Sequence, residues 1–176
     1  MKMGGSPVGC DWEFAPLSNT VVLVGRTGNG KSSTGNSILG TEAFKSELSF
    51  GSVTATCELQ STLLENGLTL NVIDTPGLFD SSTELGLIGK EIVNCISMAK
   101  DGIHAILVVI SFRSRFSREE VSVIETLTGF FGSKISAYMI LIITGGDELG
   151  NKTLDDLLTS CPDTLKETLS KCLKRR

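Results

Sequence analysis

Apolar and polar positions along this chain alternate between two periods. Nearly unbroken apolar runs occur at Val21-Val22-Leu23-Val24, from Ile103 to Ile110 and from Tyr138 to Ile143. Runs without polar alternation predict strands covered on both faces, as in a parallel sheet. The first strand is placed at roughly Asn19 to Val24. Between the runs the period changes to that of a helix. A short helical stretch, Ser33 to Leu39, follows the first strand. Ile88, Ile92, Val93 and Ile96 recur at helical spacing and predict a helix from Glu84 to Ala99. Ser117 stands three residues before Glu120, a capping box that opens a helix reaching Phe131. Cys57 to Leu64 and Leu68 to Ile73 flank Asn66-Gly67, the strongest short hairpin signal, and predict one antiparallel pair. Thr153 and Pro162 open two last helical stretches. Strand and helix thus alternate throughout, which predicts an α/β domain with a mostly parallel, doubly covered sheet and one antiparallel edge hairpin.

The stretches outside this alternation predict the domain limits. Residues 1–18 carry Gly4, Gly5, Pro7, Gly9 and Pro16 and read as a flexible arm that Trp12 and Phe14 could pin. Residues 19–176 read as one domain. Within it, Gly40 to Thr54 is polar and irregular, suited to a mobile segment.

Composition narrows the classes. A chain of 176 residues suffices for one domain with a sizeable core. Hydrophobic residues at 40% and charged ones at 20% exclude a disordered polymer. A net charge of −4 argues against nucleic acid as the main partner, because a phosphate backbone needs a basic face. The five cysteines are dispersed without a CxxC pair, which suits a reducing compartment. His104, the only histidine, sits against an apolar run and reads as structural. No apolar run reaches the roughly 20 residues of a membrane span. No charged-then-apolar leader opens the chain. The expected location is the cytoplasm, with peripheral contact at intracellular membranes left open; the terminal Lys174-Arg175-Arg176 is too short to argue for it.

Three short motifs carry chemistry. Gly25-Arg26-Thr27-Gly28-Asn29-Gly30-Lys31-Ser32 is a full GxxxxGKS phosphate-binding loop between an apolar strand and a helix. Its glycines let backbone N–H groups wrap a phosphate chain, and the helix N-terminus adds positive potential. Lys31 would reach the β and γ phosphates, and the Ser32 hydroxyl would ligate Mg²⁺. Asp74-Thr75-Pro76-Gly77 ends another apolar strand, the DxxG pattern in which Asp74 holds Mg²⁺ through water and Gly77 offers its N–H to the terminal phosphate. Thr144-Gly145-Gly146-Asp147 ends a third strand, where GTPases carry [NT]KxD. There the Asp147 carboxylate would accept the guanine N–H groups, and adenine would leave it unpaired at roughly 1–3 kcal/mol. Gly145 replaces the usual lysine, which keeps an adenine-nucleotide reading open.

In series, GRTGNGKSSTGNSILG, SVTATC, DTPGLFD, RFSREE and TGGDELG resemble the immunity-associated nucleotide-binding GTPases, especially their plant, avirulence-induced branch. The likeness runs from about Asn19 to Lys171. It implies a P-loop NTPase of the Ras-like G-domain type, related to septins and chloroplast import-receptor GTPases, binding GTP or GDP with Mg²⁺. It implies a phosphate cradle from Gly28 to Ser33, and Thr54 as the switch residue sensing Mg²⁺ and the γ-phosphate, with Thr56 as the fallback. It places Arg115 where the family has an arginine acting across a dimer interface; a solvated loop arginine is the alternative.

Two departures shape the functional expectation. Leu78 stands where active small GTPases carry a water-orienting glutamine, so hydrolysis should be slow unless a second subunit contributes. After Cys172 the family's guanine-facing GNRxxxF loop and last strand have no counterpart, so the G domain is expected to lack that strand. The reading is a guanine-nucleotide-binding switch or homo-oligomeric scaffold with weak GTPase activity on dimerisation, in defence or stress response. The alternatives are a scaffold with negligible hydrolysis and an adenine-nucleotide P-loop protein.

Overall fold

The structure, a computed structural model, describes residues 17–46, 56–77, 80, 83–113 and 118–150, with Thr153, Asp156, Thr159, Asp163 and Lys166. The elements run β1 (Ser18–Val24), α1 (Lys31–Leu39), β2 (Glu58–Leu63), β3 (Thr69–Asp74), α2 (Leu85–Met98), β4 (Ala105–Ser111), α3 (Arg118–Phe131) and β5 (Met139–Thr144). A six-residue 3-10 helix, Ser133–Tyr138, leads into β5 and has no helical period in the sequence to announce it.

The strands form one sheet in the order β2-β3-β1-β4-β5. β1 pairs in parallel with β3 and β4, and β4 in parallel with β5. Among the described strands only β2 runs against its neighbour, with Glu58 opposite Asp74 and Leu63 opposite Thr69. The turn between them is closed by the Leu64 N–H on the Leu68 carbonyl, with Gly67 at φ 79°. The Asn66-Gly67 pair therefore does what its chemistry predicts.

Strand periodicity assigns the two core layers. Val22, Val24, Ile106, Val108 and Ile110 face α2 and α3, where Ile88, Cys95, Val123, Ile124 and Leu127 meet them. The intervening Leu23, Val72, Leu107 and Val109 face the α1 side, with Leu39 and Phe44. Every residue of β4 is buried, as expected for a central parallel strand. β5 differs from its expected burial: Met139 alone is buried, because β5 borders the described sheet on one side.

Helix faces also depart from the simple pattern. On α2, Ile88 and Cys95 are buried and Ile92 packs against them, whereas Val93 and Ile96 are 66% and 46% exposed. The face turned to the sheet is the 88–92–95 stripe, one i, i+4, i+7 row. The helical start expected at Thr153 is capped: Asp156 donates its N–H to Thr153 Oγ1 at 3.2 Å, and the Thr153 N–H donates to the Asp156 carboxylate at 2.8 Å. His104 is structural, accepting the Thr20 N–H on Nδ1 at 3.0 Å. The arm up to residue 16, residues 47–55, the Ser117 cap and the stretch after Ser170 lie outside the described residues. Among the described residues no helix is long and apolar enough to cross a membrane.

Candidate functional site

The three motifs meet at the carboxyl ends of β1, β3 and β5, the edge where open parallel sheets bind ligands. The loop after β1 is clamped from below. Gly25 has φ 149°, and a β-carbon there would lie 2.3 Å from the Val109 carbonyl oxygen of β4, so no side chain fits. The buried Asn29 donates from Nδ2 to that same oxygen at 3.0 Å. From β5, Thr144 donates its hydroxyl to the Asn29 carbonyl at 2.8 Å, tying the fourth motif to the first.

Lys31 opens α1 and is buried, its Nζ donating to the Arg26 carbonyl at 2.9 Å. Burial pushes its pKa below 10.5, while the Asp74 and Asp80 charges pull the other way. A buried ammonium in a loop of backbone amides attracts an anion. One residue on, Ser32 donates its hydroxyl to Asp74 Oδ2 at 2.5 Å. The two expected metal-side residues, from α1 and from the end of β3, are thus in contact. Asp74 is 1% exposed, and Thr75 beside it donates to the Leu23 carbonyl at 2.7 Å, pinning the strand end to β1.

The loop after β3 lies directly on the first. A β-carbon on Gly77 would come 1.8 Å from Thr27 Oγ1 and 2.9 Å from the Thr27 nitrogen. The Thr27 N–H donates to Asp80 Oδ1 at 3.1 Å. Arg26 stands between two acids, Nε 3.9 Å from Asp80 Oδ1 and Nη1 3.8 Å from Glu120 Oε1. Sequence reasoning missed both acids as site residues. Asp80 closes DTPGLFD, and Glu120, only 1% exposed, reads in sequence as a helix-capping residue. The legible signal is their place in DTPGLFD and RFSREE; their meeting at Arg26 is a tertiary fact.

On the base side, Gly145 has φ 75°, and the exposed Asp147 lies in a 3-10 turn, Gly146–Leu149, directly after β5. Gly28 and Ser33 sit on the exposed rim of the loop and of α1. Thr56 is exposed beside β2. Thr54, Leu78 and Arg115 lie outside the described residues.

These residues fit a phosphate chain with a hard cation. The floor excludes side chains at Gly25 and Gly77, a buried lysine sits within it, and the Thr27 hydroxyl is buried with no hydrogen-bond partner among the described residues. The Ser32 hydroxyl and Asp74 carboxylate are oxygen donors of the kind Mg²⁺ takes, with water and phosphate completing its shell.

The chain resembles known proteins in family and in fold. The AIG1 family model matches residues 19–176. Immune-associated nucleotide-binding protein 9 of Arabidopsis thaliana is 56% identical over 181 residues, covering 99% of this chain and 53% of that protein. Immune-associated nucleotide-binding protein 4 of the same plant is 49% identical over 164 residues, covering 92% of this chain and 50% of that protein. The chain spans about half the length of the curated relatives it matches. Among solved structures, Arabidopsis thaliana Toc33 in complex with Mg²⁺ and GMPPNP matches with TM-score 0.68 at 25% identity, over 88% of this chain and 61% of that one. A structure of the chloroplast translocon components atToc33 and psToc159, described as showing that dimerization is important for their GTPase activity, matches with TM-score 0.70 at 25% identity, over 90% of this chain and 64% of that one. Era matches with TM-score 0.65 at 19% identity, over 90% of this chain and 50% of that one, a likeness of fold alone. The fold is that of a P-loop GTPase, a Ras-like G domain with a mostly parallel sheet and one antiparallel pair. With a family model running from β1 to the last residue and relatives about half identical, the chain belongs to the AIG1 family.

Proposed function

We propose that residues 19–176 act as a guanine-nucleotide-binding G domain, a nucleotide-dependent switch or assembly unit with slow GTP hydrolysis, serving a defence or stress response. The observation that carries this is the contact of three motifs at one sheet edge: the buried Lys31 in its loop, Ser32 on Asp74, and Gly77 against Thr27. The names of the relatives, which join nucleotide binding to immune association, support the biological setting. Arg26 to Ser33 would surround the phosphates, and Ser32, Asp74 and Thr54 would serve Mg²⁺. Gly77 would face the terminal phosphate, and Thr144 and Asp147 the base. Bound Mg²⁺ would offset phosphate charge. This chain's own part is to orient the phosphates through loop amides and Lys31, with the clamp on Val109 holding the loop's shape.

Calorimetry with Mg²⁺ and GDP, GTP or ATP tests the proposal. Guanine nucleotides should bind and ATP should not compete. Lys31→Ala should weaken binding about 10- to 100-fold, the worth of one hydrogen bond to a charged group. Competition by ATP at equal concentration would transfer the site to adenine nucleotides, and no binding of any of them would end the reading. A GTP-dependent assembly is favoured by the Toc33 and Toc159 structure, whose description links dimerization to activity. Light scattering with GTP and GDP separates that reading from a monomeric switch.

A further inference from the structure

Two thiols away from the phosphate loops lie against each other. Cys57 stands at the entry to β2 and Cys95 faces it from α2, both free, both 5% exposed, with their sulfurs 2.6 Å apart. Glu91, one helical turn before Cys95, holds Cys57 in place. It accepts the Cys57 N–H on Oε2 at 3.2 Å, and its carbonyl accepts the Cys57 thiol at 3.6 Å. A disulfide bond is about 2.05 Å long, so closing the gap needs little movement of either element. A cavity of about 30 Å³ has Cys95 in its wall, together with Val22, Thr75, Ile92 and Leu127. That space is only about as wide as a water molecule and its lining is apolar, so nothing much larger than hydrogen peroxide could pass through it.

We propose that Cys57 and Cys95 are a peroxide-responsive pair whose disulfide staples the entry of β2 to α2. The Cys95 sulfur attacks one oxygen of hydrogen peroxide, the O–O bond breaks, and the leaving hydroxide takes the thiol proton as water. Cys95 is then a sulfenic acid. The Cys57 sulfur attacks it, the S–O bond breaks, and the second hydroxide leaves with the Cys57 proton as another water. Two thiols and one peroxide give one disulfide and two waters, with two electrons passing from sulfur to oxygen. The order of attack follows from the site: the cavity reaches Cys95. Hydrogen bonding to Cys95, burial and the neighbouring Glu91 push the Cys57 thiol well above its usual range, so Cys57 gives up its proton only as it attacks the sulfenic acid beside it. Burial also makes the pair selective, because a large disulfide such as oxidised glutathione does not reach either sulfur.

The staple would join the stretch after Thr54 to the helix that follows the Asp74–Asp80 loop. Its effect on nucleotide exchange, unlike the bond itself, rests on the proposed function.

The full chain is treated with hydrogen peroxide or with oxidised glutathione and followed by intact mass and non-reducing peptide mapping. Peroxide should remove the mass of two hydrogen atoms and yield a Cys57–Cys95 linked peptide, reversed by dithiothreitol. Oxidised glutathione should give neither that peptide nor a glutathione adduct on these two residues. Cys57→Ser and Cys95→Ser should each abolish the linked peptide, and the wild-type map decides alone if either variant fails to fold. Amide exchange across Leu85–Met98 should slow in the oxidised chain, and nucleotide release should slow with it. Peroxide-treated chain in which Cys57 and Cys95 remain thiols, become sulfinic acids or link to Cys10, Cys161 or Cys172 overturns the proposal. A reduced chain that binds no nucleotide ends the proposed function and leaves the disulfide standing.

Discussion

At Gly77 a single missing methyl group lets two loops touch. The β-carbon it lacks would overlap Thr27 Oγ1, 1.8 Å away, so Gly77→Ala must push the second loop off the first. Overpacking of this kind costs about 1–3 kcal/mol, and urea unfolding should show a loss in that range. Adding Thr27→Gly should recover part of the loss, since it removes the nearest clash and leaves the Thr27 nitrogen at 2.9 Å. A Gly77→Ala chain as stable as the parent would mean that the two loops part freely. Lys31 makes an opposite demand. Burial lowers its pKa, so the folded chain holds this proton less tightly than the unfolded chain does. The cost to stability is therefore full below the folded-state pKa and fades as pH rises towards 10.5, where the unfolded chain also loses the proton. Against a Lys31→Met reference without nucleotide, the wild-type deficit in denaturant midpoint should shrink on going from neutral to alkaline pH. A deficit that widens with pH would mean that Asp74 and Asp80 outweigh burial. Lys31 thus lowers the stability of the domain and holds a cation inside the loop to which the proposed function assigns the phosphates.

The helices show how an element's packed face is selected. α2 carries apolar residues on more than one face, yet Ile88, Ile92, Cys95 and Met98 pack on the core while Val93 and Ile96 stay largely exposed. Ile88→Ala should cost about 2–5 kcal/mol, as buried large-to-small changes do. Val93→Ala, at a position 66% exposed, should stay within about 0.5 kcal/mol. Equal losses at both positions in chemical denaturation would show that α2 is rotated from the described orientation. The apolar period made α2 legible as a helix, but not its rotation, because Val93 and Ile96 fit the same spacing as their buried neighbours. The 3-10 turn before β5 was illegible for a related reason. Ser133-Lys134-Ile135-Ser136 has neither helical periodicity nor a cap of its own, and it is closed by local bonds such as the Ile135 N–H on the Gly132 carbonyl.

At the scale of the whole molecule, Arg26 joins three parts of the fold: the first loop, Asp80 of the second and Glu120 of α3. RFSREE, the motif that ends on Glu120, also contains Arg115, which lies outside the described residues. If Arg115 acts across a dimer, turnover per chain should rise with protein concentration and fall about 10³- to 10⁵-fold in Arg115→Ala at unchanged nucleotide affinity. The planar guanidinium, which matches phosphate oxygens in a fork, is the reason lysine should not substitute. A rate independent of concentration, or an unaffected Arg115→Ala chain, would leave Arg115 as a surface residue.

By itself, the sequence determined the features that local chemistry dictates. Unbroken apolar runs set the parallel strands, Asn66-Gly67 set the hairpin, and GxxxxGKS set the loop between β1 and α1. Each of these depends on residues adjacent in the chain, so spacing alone reveals it. Tertiary structure decided whatever depends on partners distant in sequence. It placed Ser32 on Asp74 across 42 residues and Thr144 on Asn29 across 115, and it brought Cys57 to Cys95 across 38. No local period encodes such meetings. They arise from strand order, which brings the ends of β1, β3 and β5 to one edge, and from the rotation of α2, which points Cys95 rather than Ile96 at the entry of β2.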